Sequence, residues 1–283
     1  YPQNDLRRHE SALWAFGEES VTVSNRLQAA DFDSLSLPDA GWYVIRADDN
    51  YMVIQAGENG SEGWGTHAHN DILSFELLVG QRAFIIDPGS YIYTGNYRAR
   101  NMYRGIAAHN TVQIDRHETN RIPKKDMFRM SNDASVTIHE WDTDDCRTWF
   151  DAEYVSPVSV AKNVYHRRKF EYFHDLAYWV ISDSAGYLGG DEDELSNITM
   201  YFHFSNLCIE LDGLVARTCF PDGPNLAVLP LYEDVLGDSS TGIDAIINTG
   251  WVSSRYGVQE KGPILQYSML SNRQNVLKTI LLP

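Results

Sequence analysis

The sequence predicts an all-β fold, a large antiparallel β-sandwich of stacked sheets behind a short helical segment. Three observations carry that reading. A long succession of short β-branched and aromatic runs is punctuated by Gly, Asn, Asp and Pro. Helical periodicity is confined to one stretch near the start. The 283 residues are 43% hydrophobic and 12% aromatic, enough to bury a substantial core.

Residues 5–16 predict the helix. Leu6, Leu13 and Phe16 fall near one face, Asn4 or Asp5 can cap the start, and Gly17 can end it. Residues 31–41 (DFDSLSLPDAG) form a polar connector containing a proline. Residues 1–40 therefore read as a helical tail and linker continuing from an upstream domain, and 41–283 as the β-sandwich domain. No apolar run approaches the ~18 residues of a membrane-spanning helix, and no signal-peptide pattern opens the chain.

From Gly41 the pattern is strands: GWYVIRADD, YMVIQAG, ILSFELLVG and RAFIID. Gly80-Gln81-Arg82 joins the last two as a hairpin. Both are apolar on both faces, as expected of an inner pair covered on each side. Residues 90–108 have little β pattern and read as a long connection, a length that usually serves function. NTVQID is a strand and residues 115–132 a polar loop. SVTIHEW, TWFDAEYV, NVYHRRKFEYF, LAYWVISDSAG, ITMYFHFS, CIELDGLVART and NLAVLPLY follow, each about one strand long. GWVSSRYG, PILQYSMLS and NVLKTILLP close the chain as further strands.

The net charge of −16 argues against nucleic acid or an anionic membrane as partner, since both reward Lys and Arg. It also counts mildly against any polyanionic substrate. Cys146, Cys208 and Cys219 are odd in number and form no CxxC pair, so they predict neither a disulfide framework nor a cysteine-rich zinc site. A single Cys208–Cys219 bridge stays open.

Most of the chemical information lies in residues 66–115. His67, His69 and Asp71 alternate, so on a strand they share a face. Asp87 ends the next apolar run and His109 begins the strand after it. Two imidazoles and a carboxylate at neighbouring strand ends suit zinc with an open fourth position. The competing reading is a polar cluster in which Asp87 orients His69 and His109. Between them, Tyr91, Tyr93, Tyr97 and Tyr103 interleave with Arg98, Arg100 and Arg104. Arg forks suit carboxylates and sulfates, and a Tyr beside cations can exchange a proton.

The run HAHNDILSFELLVGQRAFIIDPGSYIY…RNMYRGIAAHNTVQID resembles the core of the heparinase II/III-like C-terminal domain, shared with oligo-alginate lyases. VYHRRKFEYF, WVISDSAG, MYFHF and GWVSSRYG agree with it, so the resemblance covers about residues 41–283. It implies a polysaccharide lyase acting by β-elimination on a uronic-acid-containing polysaccharide, with an (α/α) toroid upstream of antiparallel sheets. It implies one metal, usually zinc and mainly structural, held by His69, Asp87 and His109. It gives His67 a catalytic or carboxylate-neutralising role and a loop tyrosine a catalytic one. Tyr97 is the best match, with Tyr91, Tyr93 and Tyr103 as alternatives. Arg104 is assigned to a substrate carboxylate. Further catalytic residues come from the toroid in this family, so these residues alone are expected to show little or no lyase activity. A periplasmic or secreted location is expected, with a cytoplasmic one left open.

Two other readings stand beside this one. One is a non-catalytic polysaccharide-binding β-sandwich of a capsule or exopolysaccharide system. The other, ranked last, is a metallohydrolase built on His69, Asp87 and His109; no general-base Glu stands at a recognisable spacing from the His pair. Among uronate polymers, the acidity of the chain favours unsulfated or lightly charged ones.

Overall fold

The structure, a computed structural model, describes residues 33–283 except 48, 61–62, 81, 160–161, 190, 192–193 and 234–241, together with positions 14 and 17. The helix expected over residues 5–16 lies outside the described residues. The β structure belongs to the unit Ser34–Pro283.

Seventeen strands among the described residues form three antiparallel sheets. The first is a meander of β1 (Leu35–Leu37), β2 (Trp42–Ala47), β3 (Asn50–Gln55), β4 (Phe75–Val79) and β5 (Arg82–Ile85). The expected connector thus already contributes an edge strand, followed by a 3-10 turn at Pro38–Ala40. The hairpin expected between β4 and β5 is present, with Val79 opposite Arg82.

The second sheet has eight strands in the order β12-β13-β14-β17-β10-β9-β8-β7. These are β7 (Ser135–Thr143), β8 (Arg147–Ser159), β9 (Lys162–Phe173), β10 (Tyr178–Leu188), β12 (Ile209–Asp212), β13 (Val215–Thr218), β14 (Ala227–Glu233) and β17 (Val276–Leu282). The third has the order β15-β16-β11-β6, from β6 (Val112–Ile114), β11 (Ser196–His203), β15 (Asp244–Arg255) and β16 (Val258–Ser271).

The first and third sheets meet along β11. Its Ile198–Met200 stretch pairs with β6. Beyond His203 the same line of chain pairs with β5 through an Ile85–Phe204 bridge. Ile86 N–H donates to His203 O (2.9 Å) and Ser205 N–H to Phe84 O (3.1 Å). The end of β5 and the start of β6 therefore face each other across a gap beside β11. Asp87 and His109 lie at the two lips of that gap.

The eight-stranded sheet packs on this joined layer through aromatic contacts. Phe75 meets Phe170 of β9 across the layers (5.6 Å between ring centres), and within the joined layer it meets Phe202 (6.2 Å), which meets Tyr267. Each such ring, removed from water, contributes roughly 1.5–3 kcal/mol. Tyr267 keeps its hydroxyl satisfied by donating to Leu214 O (2.7 Å).

One charged group crosses the core. On β9, Val164, His166, Arg168, Phe170 and Tyr172 alternate inward, as period-2 geometry requires. Arg168 is fully buried opposite Asp183 of β10. Its Nε donates to Asp183 Oδ1 (2.7 Å) and its Nη2 to Oδ2 (3.2 Å). Its Nη1 reaches the other layer, donating to Leu73 O (2.9 Å) and Asn110 O (2.8 Å). Removing the guanidinium would leave the buried Asp183 carboxylate without its cation and with only the His166 N–H, a loss of about 3–5 kcal/mol for a broken buried pair. Arg168→Met should lower the urea midpoint accordingly, without a comparable effect from Lys162→Met at the exposed Lys162–Glu194 pair.

His166 donates from Nε2 to the same Asp183 Oδ1 (2.7 Å). Burial pushes the imidazole below its ordinary value, so it stays neutral in the fold. Burial opposes the Asp183 charge too, but Arg168 and His166 hold that carboxyl below the usual range. Both folded values are depressed, so both contributions are present at neutral pH and are lost on acidification. The His166 contribution starts to fall near its unfolded value of about 6.5, and the Asp183 one below about 3.9. The melting temperature should therefore drop from about pH 7 to about pH 5, and less steeply in His166→Gln.

Candidate active site and metal centre

The segment carrying His67, His69 and Asp71 is not a strand. Residues 66–74 form consecutive turns, with His67 and Leu73 both at a backbone φ of 60°. Ala68 N–H donates to Gly65 O (3.4 Å) and Ser74 N–H to Asp71 O (2.9 Å). Strand alternation therefore does not apply. His67 is exposed, while His69 is drawn inward. Gly63, Gly65 and Asn70 around the pair are the turn-forming signal that outweighs the alternation.

His69, Asp87 and His109 do come together. His109 is fully buried, and its Nδ1 lies 2.6 Å from Asp87 Oδ2. The His69 and His109 rings are 5.1 Å apart. Asp87 Oδ1 accepts from Gly89 N–H (2.8 Å) in the turn after β5. Gly89 is required there: φ is 83°, and a Cβ would stand 2.4 Å from Ser253 O. Burial works against charge on Asp87, but His109, His69 and the Gly89 N–H bring its carboxyl down to about 2. Burial also opposes charge on His109, yet Asp87, Asp71 and Glu118 push it above its ordinary value. The two form an ion pair whose imidazole is fully buried and whose carboxylate is 30% exposed. Asp71 behaves oppositely, with burial raising it to about 6.

His69 is held neutral. Burial first, then the neighbouring His109, lowers it to about 3. Arg100 Nη1 lies 2.9 Å from His69 Nε2, and since Arg only donates, the imidazole proton is on Nδ1. Ser90 Oγ is 3.4 Å from the same nitrogen.

Arg100 is placed by a helix where a loop was expected. Helix α1 (Tyr97–Arg104) is capped by Asn96, whose Oδ1 accepts from the N–H groups of Arg98 and Ala99 (both 3.1 Å), and it ends at Gly105. Arg100 and Arg104, four apart, both turn inward. Arg104 is fully buried, donating to Arg129 O (2.9 Å), Asp126 O (3.1 Å) and Asn101 Oδ1 (2.7 Å). Arg104, expected at a substrate carboxylate, braces the 126–129 loop from inside, with backbone carbonyls engaging its guanidinium. Tyr97 sits in the first turn, 39% exposed, accepting from Arg98 Nε (3.4 Å). The tyrosine against His67 is Tyr93, edge-on at 5.3 Å, with Phe128 at 5.8 Å. Tyr93 also stacks on Tyr256 (5.8 Å) and lies under Arg100 (5.0 Å).

His67, His69 and Asp71 line a cavity of about 340 Å³. Its other walls include Asp39, Trp42 and Glu58, so among the described residues it presents acidic groups and no Arg or Lys.

Two buried asparagines, which the sequence reading did not single out for a role, hold this arrangement. Asn110 donates from Nδ2 to Phe75 O (2.8 Å) and Ile86 O (2.9 Å), and its Oδ1 accepts from His203 N–H (2.6 Å). Asn70 donates to Glu118 Oε2 (2.6 Å) and Asn120 O (2.9 Å), fixing the residues just after His69. His203 adds a third imidazole nearby, lowered by burial and then by His109 to about 4 and donating from Nε2 to Ala107 O (3.0 Å).

The donor set, two imidazoles and a carboxylate, is one that zinc accepts, and His109 Nε2 is buried without a partner. The donor atoms of the three residues do not all lie within 4.8 Å of one another. Arg100 would have to yield His69 Nε2 to an ion. The residues fit a divalent metal in chemistry, after that exchange.

The model of the heparinase II/III-like C-terminal domain matches residues 29–274. The chain belongs to the heparinase II/III-like family. Among curated relatives, it is 26% identical over 227 residues to a heparin-sulfate lyase of Pedobacter heparinus, covering 76% of this chain and 30% of that protein. It is 22% identical over 251 residues to a heparin-sulfate lyase of Bacteroides stercoris, covering 85% and 33%. The chain thus spans about a third of the length of these relatives. In fold it is similar to the heparan sulfate lyase of Pedobacter heparinus, with a TM-score of 0.70 at 21% identity over 98% of this chain and 41% of that one. It is also similar to a structure named heparinase III, with a TM-score of 0.69 at 17% identity over 90% and 37%. The heparinase C-terminal β-sandwich expected from the sequence is the fold observed.

Removing the Asn110 amide would orphan three backbone groups, each costing about 1–3 kcal/mol when buried. Asn110→Ala should lose several kcal/mol in chemical denaturation, with Asn110→Asp intermediate because it keeps the acceptor for His203 N–H.

Proposed function

We propose that this chain is the C-terminal domain of a polysaccharide lyase that cleaves a uronic-acid-containing polysaccharide by β-elimination. The observation that carries the reading is His67. It stands exposed at a cavity wall, flanked by Tyr93 and Phe128, two residues before His69 of the His69–Asp87–His109 cluster. Elimination removes the proton α to the uronate carboxyl and expels the O4 leaving group, which takes up a proton. His67 is placed to neutralise the carboxylate or move the α proton, and a loop tyrosine to carry the other proton. Tyr93, in contact with His67, and Tyr97, at the start of α1, are the two tyrosines to compare. An upstream (α/α) toroid would supply the remaining groups.

His69, Asp87 and His109 would hold one divalent metal, zinc by donor type. Its charge would lock the end of β5 against the start of β6, leaving His67 outside the coordination sphere. The acidic wall of Asp39, Glu58 and Asp71 favours a uronate polymer of low sulfation, although the curated relatives are named for heparin sulfate.

The test uses the chain together with its upstream residues. Unsaturated-uronate absorbance is followed with alginate-type, unsulfated glucuronate and heparan sulfate polymers. His67→Ala should reduce turnover at least ~100-fold, as for loss of one acid–base group. Tyr93→Phe and Tyr97→Phe then decide which hydroxyl takes part. No product from any uronate polymer would leave the non-catalytic polysaccharide-binding reading. Metal content is read separately: the wild type should retain about one ion per chain and His69→Ala should lose it, whatever the activity.

A further inference from the structure

We propose that Cys208, Glu210 and Cys219 form a metal site of their own, for a thiophilic divalent ion of the zinc type. They lie on the β12–β13 hairpin, at the end of the eight-stranded sheet opposite β7. Cys219 N–H donates to Cys208 O (3.0 Å), which carries the ladder one step past the Ile209–Thr218 pair and sets the two cysteines opposite each other. Glu210 is two residues beyond Cys208 and so shares its face. The two sulfurs and a Glu210 oxygen all lie within 4.8 Å of one another, the one such trio of His, Cys, Asp or Glu donors among the described residues.

Ligands about 2.0–2.3 Å from one zinc ion lie under ~4 Å apart, so small side-chain rotations close the trio. Two thiolates and a carboxylate select a borderline-soft cation, and solvent would fill the fourth position. Both cysteines are free and exposed, so an ion can reach them. On binding, each thiol gives its proton to solvent and its sulfur a lone pair to the metal, so affinity rises with pH. The cation would also tie the edge strand β12 to β13, at a sheet margin otherwise held by a short hairpin.

Cadmium serves as the probe, because its sulfur-to-metal charge-transfer band reports thiolate ligands and ignores the His69–Asp87–His109 cluster. Reduced protein titrated with cadmium should develop the band with one ion per chain. The band should vanish in Cys208→Ser and in Cys219→Ser. It should persist in Cys146→Ser and in His69→Ala, and Glu210→Gln should weaken binding about ten-fold or more. Circular dichroism checks that each variant folds. A band that survives the double serine variant overturns the proposal. So does the absence of a band while three thiols titrate. Protein purified without reductant that shows a single reactive thiol would mean a Cys208–Cys219 disulfide instead, and would overturn it as well.

Discussion

The Asn110 side chain sits where two sheets would otherwise part. Its two N–H bonds end on carbonyls of β4 and of the chain leaving β5, and its oxygen receives the His203 N–H of β11. Its own carbonyl takes the guanidinium of Arg168, which reaches across from the eight-stranded sheet. A buried amide with all these partners fixes direction as well as distance, because any rotation would strand several polar groups away from water. His109, next in the chain, inherits that rigidity, and so does Asp87, one residue beyond Ile86. Functional groups are thus positioned by a backbone-to-amide lattice rather than by their own attraction.

Charge is arranged in pairs around that lattice. The chain carries −16 overall, yet Arg100, Arg104 and Arg168 are fully buried within or beside the junction. Each meets a different partner: a neutral imidazole, backbone carbonyls, and a carboxylate. Arg100 keeps Nε and Nη2 without partners, which leaves it the least committed of the three. Buried cations therefore stand beside the His–Asp cluster in a chain whose net charge is negative. Net charge was a guide to what the surface repels, and a poor guide to what the site holds.

Much of this was legible in residue order. Strands announced themselves through β-branched and aromatic runs, and the family motif named His69, Asp87 and His109, which the fold does bring together. Other points depended on contacts that spacing cannot encode. The HAHND run has the alternation of a strand, but Gly65 and Asn70 bend it into turns, so His67 and His69 part company. The Tyr- and Arg-rich stretch hid a helix because Asn96 and Gly105 bracket only eight residues, too few for periodicity to stand out. The carbonyls of the 126–129 loop that engage Arg104 lie more than twenty residues along the chain, beyond what local spacing shows. Asn110 could not be weighed at all from the sequence, since its partners lie up to 93 residues away.

Those separations have a further meaning. All three ligands proposed for the His–Asp site have been made once synthesis passes residue 109, but Arg168 arrives later with β9 and His203 with β11. A nascent chain ending before β9 would carry that ligand set without Arg168 or His203. The ligands must wait, unassembled, for nearly a hundred residues of sheet still to be translated. Loops closed over such distances fold slowly. Until they close, Asp87 and His109 are exposed, soluble side chains, so an early metal would find a flexible chelate in place of a site.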